Sequence, residues 1–517
     1  MASKATPLRA GKVTSTLADA AMAHRRGDAA TAKRLYRKVL KAQPTHFKAL
    51  RLSGALAHEV GDLDEAIRLL SAAVRHAPPD ETGALEDLGL IHLQTGGQEK
   101  AESLLRRAVE INPQSLVALT RLGSTLITCG RGSEAAELLK RARAIDAKDP
   151  QIGYALAHAL LESSEFDAAI EAADQTLALH PEDPATLVVK GVALYQQKRY
   201  EEAERLLTQS VSLEPRDVNA LIHLGRTRLA RGDHGGAVKA FEDAAALAPD
   251  LATVHSQLAN ALSAGDEPGK AVEVCERFLE RNPVSAALIL VKALALRDAG
   301  RAAEADTLLG QESLVLARQI QPPPNYDDLA AFNRALERMV RGHPSLARTH
   351  TNRATRHGIQ TGSLMVDPPP EMSRLERVID AEIRATVSRL RETGHGEHPW
   401  VRHAPKSWFI NSWAVILSDQ GYQLSHIHPE AWMSGVYYVA IAEEGMGPGH
   451  GEDGWIEFGS LSDQLFAKIA PPTRRIEPRP GLMVMFPSYT YHRTIPFSGQ
   501  GERISIAFDV FAAPAGL

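Results

Sequence analysis

The stretch GYQLSHIHPEAWMSGVYYV (421–439), continued by IEPRPGLMVMFPSYTYHRTIPF (476–497) and GERISIAFDV (501–510), decides how the C-terminal part of this chain folds. Short runs rich in valine, isoleucine, tyrosine and phenylalanine alternate with glycine, proline and aspartate at intervals of about ten residues, the pattern of antiparallel strands. Eight candidates stand out: 407–417, 422–428, 434–441, 455–459, 474–477, 482–486, 492–496 and 503–511. Eight short strands in about a hundred residues predict a double-stranded β-helix, or jelly roll. His426 and His428 are two apart, so on one strand their imidazoles share a face. Antiparallel folding can carry His492 to the same point.

Two histidines and one carboxylate on a single octahedral face form the usual ligand set of non-haem iron oxygenases, leaving three positions for co-substrate and O₂. Two sets are open. His426, His428 and His492 put a third imidazole where the carboxylate is expected, whereas His428, Glu430 and His492 keep the carboxylate. The first is preferred, because Pro429 tends to end the strand and leaves Glu430 in a loop. On the last strand Arg503 and Ser505 share one face, and Ile504, Ile506 and Phe508 the other. A guanidinium aimed into a barrel needs an anion. The C5 carboxylate of 2-oxoglutarate meets that need, accepting a bidentate pair from Arg503 and a further bond from Ser505. Tyr438, with Tyr437 second, can add a phenol. The competing partner for Arg503 is Asp509.

The first three hundred residues are of another kind. Prolines recur at Pro44, Pro78, Pro113, Pro181, Pro215, Pro249 and Pro283, 34 or 35 residues apart except for one double step. Small residues keep the same register, among them Gly54, Gly89, Gly123, Gly191 and Gly225, where two helices would cross closely. Gly27, Gly61, Gly96, Gly130, Gly232 and Gly300 mark turns, with Ser164 standing in the fifth. A fixed period of this length means a solenoid of helical hairpins. The pattern resembles the tetratricopeptide repeat, with about nine units over 13–310 after a flexible N-terminus at 1–12. The resemblance implies a concave groove that takes peptides or proteins.

From 311 the period is lost, and 311–324, ending in three prolines, is expected as a linker. Helical patterns at 327–340 and 372–393 form a lead-in (325–404) to a barrel at 405–512. His395, His398 and His403 cluster in sequence, but their spacing fits neither a strand face nor a helix face. The motifs HIHP (426–429), SGVYY (434–438), FPS (486–488), His492 and RIS (503–505) resemble those of a family of 2-oxoglutarate–Fe(II) oxygenases, over about 325–510. That resemblance implies iron at His426, His428 and His492, 2-oxoglutarate at Arg503 and Ser505, and hydroxylation of a substrate C–H with O₂. A solenoid joined to such a barrel points to a protein or peptide side chain as substrate. The alternatives are a three-histidine iron dioxygenase that needs no 2-oxoglutarate, and a repeat scaffold carrying a degenerate barrel.

A net charge of −5 over 517 residues gives no electrostatic reason to expect nucleic acid or an anionic membrane as partner. The two cysteines, Cys129 and Cys275, are far apart on apolar helical patterns and are expected buried and reduced. No apolar run is long enough to span a membrane and the N-terminus has no apolar core, so a cytoplasmic protein is expected.

Overall fold

Helices fill the first part of the chain because alanine, leucine, arginine and glutamate dominate it. In a computed structural model that describes residues 10–348, 354–441, 451–462, 465–498 and 501–513, eighteen helices run from Ala10–Arg25 to Ala302–Leu309 and pair into nine hairpins. Part of the stretch read as a flexible N-terminus is helical. Residues 10–12 already belong to the first helix, and residues 1–9 lie outside the described residues. Helix starts are fixed by aspartates such as Asp28, Asp62 and Asp233, whose side chains accept the backbone N–H three residues on.

Each hairpin turns through one left-handed residue. Six of these are glycines, but Ser164 (φ 62°), Lys198 (φ 61°) and Asp266 (φ 67°) hold the same conformation with a side chain attached. The small positions do what their register predicts. A Cβ on Gly54 would lie 2.6 Å from Leu70, and one on Gly225 2.7 Å from the Phe241 ring, so the two helices of a hairpin touch almost backbone to side chain. Cys275 is buried as expected, and burial pushes its thiol up to about 12. Cys129 is exposed instead. It caps the C-terminus of helix Leu116–Thr128 and so falls beyond the apolar stripe.

The chain divides into two compact units, one ending at Leu213 and one beginning at Glu214. The first holds six hairpins. The second holds the last three together with everything that follows.

Among the described residues of that second unit ten strands form one antiparallel system: β1 (Leu316–Gln319), β2 (Ala347–Arg348), β3 (Thr355–Gln360), β4 (Trp408–His426), β5 (Met433–Ala440), β6 (Ile456–Phe458), β7 (Arg474–Ile476), β8 (Leu482–Pro487), β9 (His492–Thr494) and β10 (Arg503–Ala512). Their order, β1-β8-β5-β10-β4-β9-β6-β7, passes from a larger sheet to a smaller one through β4. The first half of β4 pairs with β10 and its last residues with β9. This is the expected jelly roll. The two strands read at 407–417 and 422–428 are one long strand with a bend. Gln420 takes a left-handed φ of 59° there, and β3 pairs on both sides of the bend, Gly358 with Leu417 and Thr355 with Gln423, which carries the ladder across it. The stretch read as a linker is also structured. It contains helix Gln311–Leu314 and β1, which closes the edge of the larger sheet against β8.

Between the sheets lie Val436, Tyr438, Ile456, Phe458, Val484 and Phe486. The opposite face of the larger sheet, with Ile416, Tyr437, Ile504, Ile506 and Phe508, packs on helices Leu329–Arg341 and Pro370–Leu390. Trp400 and Trp432 stack at 5.0 Å and each donates its indole N–H to the other's backbone carbonyl.

The segment after β6 lies on the last two hairpins of the same unit. The Phe466 N–H donates to Asn260 Oδ1 at 2.8 Å, and the Lys468 and Ile469 N–H groups donate to the Asp298 carboxylate at 3.1 and 2.9 Å. Tyr489 donates its hydroxyl to the Leu308 carbonyl at 3.2 Å. Among the described residues no helix is long and apolar enough to cross a membrane.

Candidate metal centre

His426 ends β4, His492 begins β9, and the two are register partners. His428 lies just past β4, held by its N–H to the Ser488 carbonyl at 3.1 Å. The three imidazoles offer ligand nitrogens that all lie within 4.8 Å of one another, the single such group among the described residues. Their ring centroids are 4.4 to 5.3 Å apart.

Hydrogen bonding selects which nitrogen each ring presents. Nδ1 of His426 faces the Leu424 carbonyl at 2.7 Å, Nδ1 of His492 the Thr490 carbonyl at 3.1 Å, and Nδ1 of His428 the Asp509 carboxylate at 2.7 Å. A carbonyl or carboxylate can only accept, so each Nδ1 carries a proton, and a neutral ring then has its lone pair on Nε2. Three clustered imidazoles, each with Nε2 left free of these bonds, are a donor set that fits a transition-metal ion. Burial, with His426 and His428 beside it, holds the His492 imidazole well below the ordinary histidine range. His426 remains partly open to a cleft, yet protein atoms crowd it, and that burial together with His428 lowers it to about 4. Both rings are therefore neutral at pH 7, as ligands must be.

Asp509 completes the arrangement around His428. Its second oxygen accepts the Ser434 hydroxyl at 2.6 Å, so the carboxylate is held from both sides and in turn holds the ring. Trp413 stacks on His428 at 5.8 Å. On the far side Phe486 packs on His492 at 4.6 Å. Glu430, the alternative ligand, sits on the exposed turn after His428 and is not in the cluster.

Arg503 is buried, 2% exposed. It donates to the Thr494 hydroxyl at 2.9 Å and to the Tyr438 hydroxyl at 3.1 Å, and its Nε has no hydrogen-bond partner. No ion pair to Arg503 is found among the described residues; Asp509, its rival partner in sequence, serves His428 instead. Thr494 is two residues from His492 on β9, which sets the guanidinium roughly 7 Å along the barrel from the histidines. Ser505 is buried on the same face of β10, in register with Tyr438. A register shift between Ile504 and Ser505 places a β-bulge at this point, where such irregularities re-aim side chains. Burial raises the Tyr438 phenol, with Arg503 opposing, so it stays protonated. Tyr437 points the other way, donating to Asn333 Oδ1 at 2.5 Å. It plays no part in this site. His398, from the other histidine cluster, faces the Leu308 carbonyl with one nitrogen and accepts the Trp400 N–H with the other, leaving no lone pair for a metal.

Residues 411–509 match the family described as "Putative 2OG-Fe(II) oxygenase". Residues 56–116, 154–211 and 200–252 match one tetratricopeptide repeat family, and 23–85 and 98–159 match another. The chain carries tetratricopeptide repeats followed by a domain of this oxygenase family. The matched stretch of the oxygenase domain contains all three histidines, Trp413, Tyr438, Thr494, Arg503, Ser505 and Asp509.

No curated protein matches the chain. Similar solved structures include a tetratricopeptide repeat protein from Parabacteroides merdae ATCC 43184, with 15% identity over 48% of this chain and 97% of that one, at a TM-score of 0.39. YrrB, described as a TPR protein with an unusual peptide-binding site, is 16% identical over 36% of this chain and 95% of its own, at 0.33. The pilF protein of Pseudomonas aeruginosa is 20% identical over 40% and 94%, at 0.35.

Two contributors were not given these roles from sequence. Thr494 gave no signal beyond its place two residues after His492. Asp509 did: it shares a face with Arg503 and Ser505 by strict alternation, which places it toward the barrel interior.

Proposed function

We propose that this chain is an Fe(II)- and 2-oxoglutarate-dependent oxygenase of the cytoplasm that hydroxylates a side chain of a protein or peptide recruited by the repeat groove. The observation that carries this reading is Arg503, a buried guanidinium with one unpartnered nitrogen and no carboxylate among the described residues, one pleat from three converging imidazoles. An uncompensated buried charge costs several kcal/mol, so a partner anion is required. A dicarboxylate that reaches the metal at its other end supplies one.

In this reading His426, His428 and His492 hold iron through Nε2, and Asp509 fixes the ring of His428. Arg503, Tyr438 and Ser505 bind the distal carboxylate of 2-oxoglutarate, and Thr494 positions the guanidinium. Val436, Val484, Phe458 and Phe486 keep the interior between the sheets free of water. When bound, iron with 2-oxoglutarate and O₂ supplies oxidative decarboxylation to succinate and CO₂ coupled to hydroxylation of a C–H bond. The protein's part is geometry, the charge clamp and the dry cavity.

A second reading, a three-histidine dioxygenase that needs no co-substrate, is favoured by the third imidazole in the carboxylate's place. Measuring 2-oxoglutarate conversion to succinate by the Fe(II)-loaded protein, with and without peptides, separates the two. Succinate formation supports the proposal. Oxygen consumption that is independent of 2-oxoglutarate supports the three-histidine enzyme, and no turnover of either kind leaves the repeats as a scaffold.

A further inference from the structure

A cleft of about 330 Å³ opens beside His426 and His428, with Trp413 along one wall. Among the described residues no aspartate, glutamate, lysine or arginine lines it; three carboxamides do, Gln360, Asn411 and Gln423. Each is oriented by a hydroxyl on its oxygen. Ser363 donates to Asn411 Oδ1 at 2.7 Å, Thr494 to Gln423 Oε1 at 3.4 Å and Thr355 to Gln360 Oε1 at 3.4 Å. The three amide nitrogens make no hydrogen bond to a described residue. Thr494 also accepts from Arg503, which leaves its own proton for Gln423, so a chain of donors runs from the buried guanidinium to the cleft and favours this orientation.

The cleft is thus neutral and rich in donors, with an aromatic wall, and it touches two of the three histidines. We propose that it binds uncharged, carbonyl-bearing peptide: main-chain amides lie across Gln360, Asn411 and Gln423, and an uncharged side chain is presented to the metal. This rests on the oxygenase reading for what happens next, but not for binding itself. Carbonyl oxygens satisfy the three NH₂ groups without bringing charge. A carboxylate or ammonium at the reacting position would enter the cleft with no countercharge among its described lining residues and is rejected.

The test uses the full-length Fe(II)-loaded protein and blocked pentapeptides, acetylated and amidated, that differ only in a central asparagine, alanine, aspartate or lysine. Binding is measured by calorimetry, independently of turnover. The asparagine and alanine peptides are expected to bind at least tenfold more tightly than the aspartate and lysine ones. Gln360→Leu and, separately, Asn411→Leu should weaken the neutral peptides about tenfold at normal iron content, Gln360→Leu serving if the other variant misfolds. Equal binding of charged peptides overturns the proposal. So does a variant pair that raises the 2-oxoglutarate requirement while peptide affinity stays constant, because the cleft then belongs to the co-substrate. Selective peptide binding without succinate formation upholds the cleft and overturns the oxygenase reading alone.

Discussion

Asp509 joins the two ends of the candidate site, since it holds His428 and lies on the same face of β10 as Arg503. Removing it in Asp509→Ala frees the ring of His428 and should lower iron affinity about tenfold to a hundredfold, read by Fe(II) titration. Removing a ligand has a larger effect: His492→Ala should abolish iron binding while the circular dichroism of the repeats is unchanged, because solenoid stability is a sum of neighbouring terms. Glu430→Ala should retain iron and His426→Ala lose most of it; the reverse order would restore the carboxylate set. For the clamp, Arg503→Ala should raise the 2-oxoglutarate requirement by about tenfold to a hundredfold, as expected from loss of roughly 1.5–3 kcal/mol for bonds to a charged group. Lysine at that position should rescue only in part. Unchanged 2-oxoglutarate affinity in a folded Arg503→Ala protein would make the arginine structural. The convergence of the three histidines and the burial of Arg503 were legible because their spacing matches a two-residue period. Which nitrogen each ring presents was not, since that depends on the Leu424, Thr490 and Asp509 oxygens brought near by folding.

At the level of elements, period carried most of the reading. Nine hairpins were visible because the close contact at positions such as Gly54 and Gly225 repeats with every unit. Gly225→Ala should cost about 1–3 kcal/mol, because the added methyl meets the Phe241 ring inside van der Waals contact. In the turns the sign reverses. Lys198→Gly should stabilise by about 0.5–1 kcal/mol in urea unfolding, as glycine takes the left-handed conformation without a Cβ penalty. Helix Val218–Ala230 also carries a pH dependence. Burial, with Arg226 adding to it, lowers His223 from 6.5 to about 4. The unfolded chain therefore binds this proton first, and stability is full above pH 6.5 and falls as the pH drops toward 4, by an amount on the order of 3 kcal/mol. His223→Gln should flatten that slope in acid denaturation followed by circular dichroism. Short pieces were the ones missed. β1 has four residues at a sheet edge, too short a run for its alternation to stand out in the sequence; its pairing with β8 makes it a strand. The long β4 was read as two because a bend residue such as Gln420 looks like a break until β3 is seen bridging it.

For the whole molecule, sequence distinguished repeats from barrel, and the change in composition near residue 311 looked like the border between them. Packing draws it elsewhere, because Asn260, Asp298 and Leu308 on the last hairpins hold backbone and side chains of the oxygenase domain. A fragment of residues 214–517 should accordingly fold with its sheet intact and unfold in one transition. A fragment of residues 325–517 lacks β1 and leaves the N–H groups of Phe466, Lys468 and Ile469 without their acceptors. It should melt at a clearly lower temperature or fail to fold, which differential scanning calorimetry of the two fragments would decide. The segment between β6 and β7 thus sets a rule for engineering. Anyone grafting this barrel onto a foreign recognition array should keep hairpins seven to nine as a built-in adaptor and make the splice at Glu214, with only the six hairpins before it free to be exchanged.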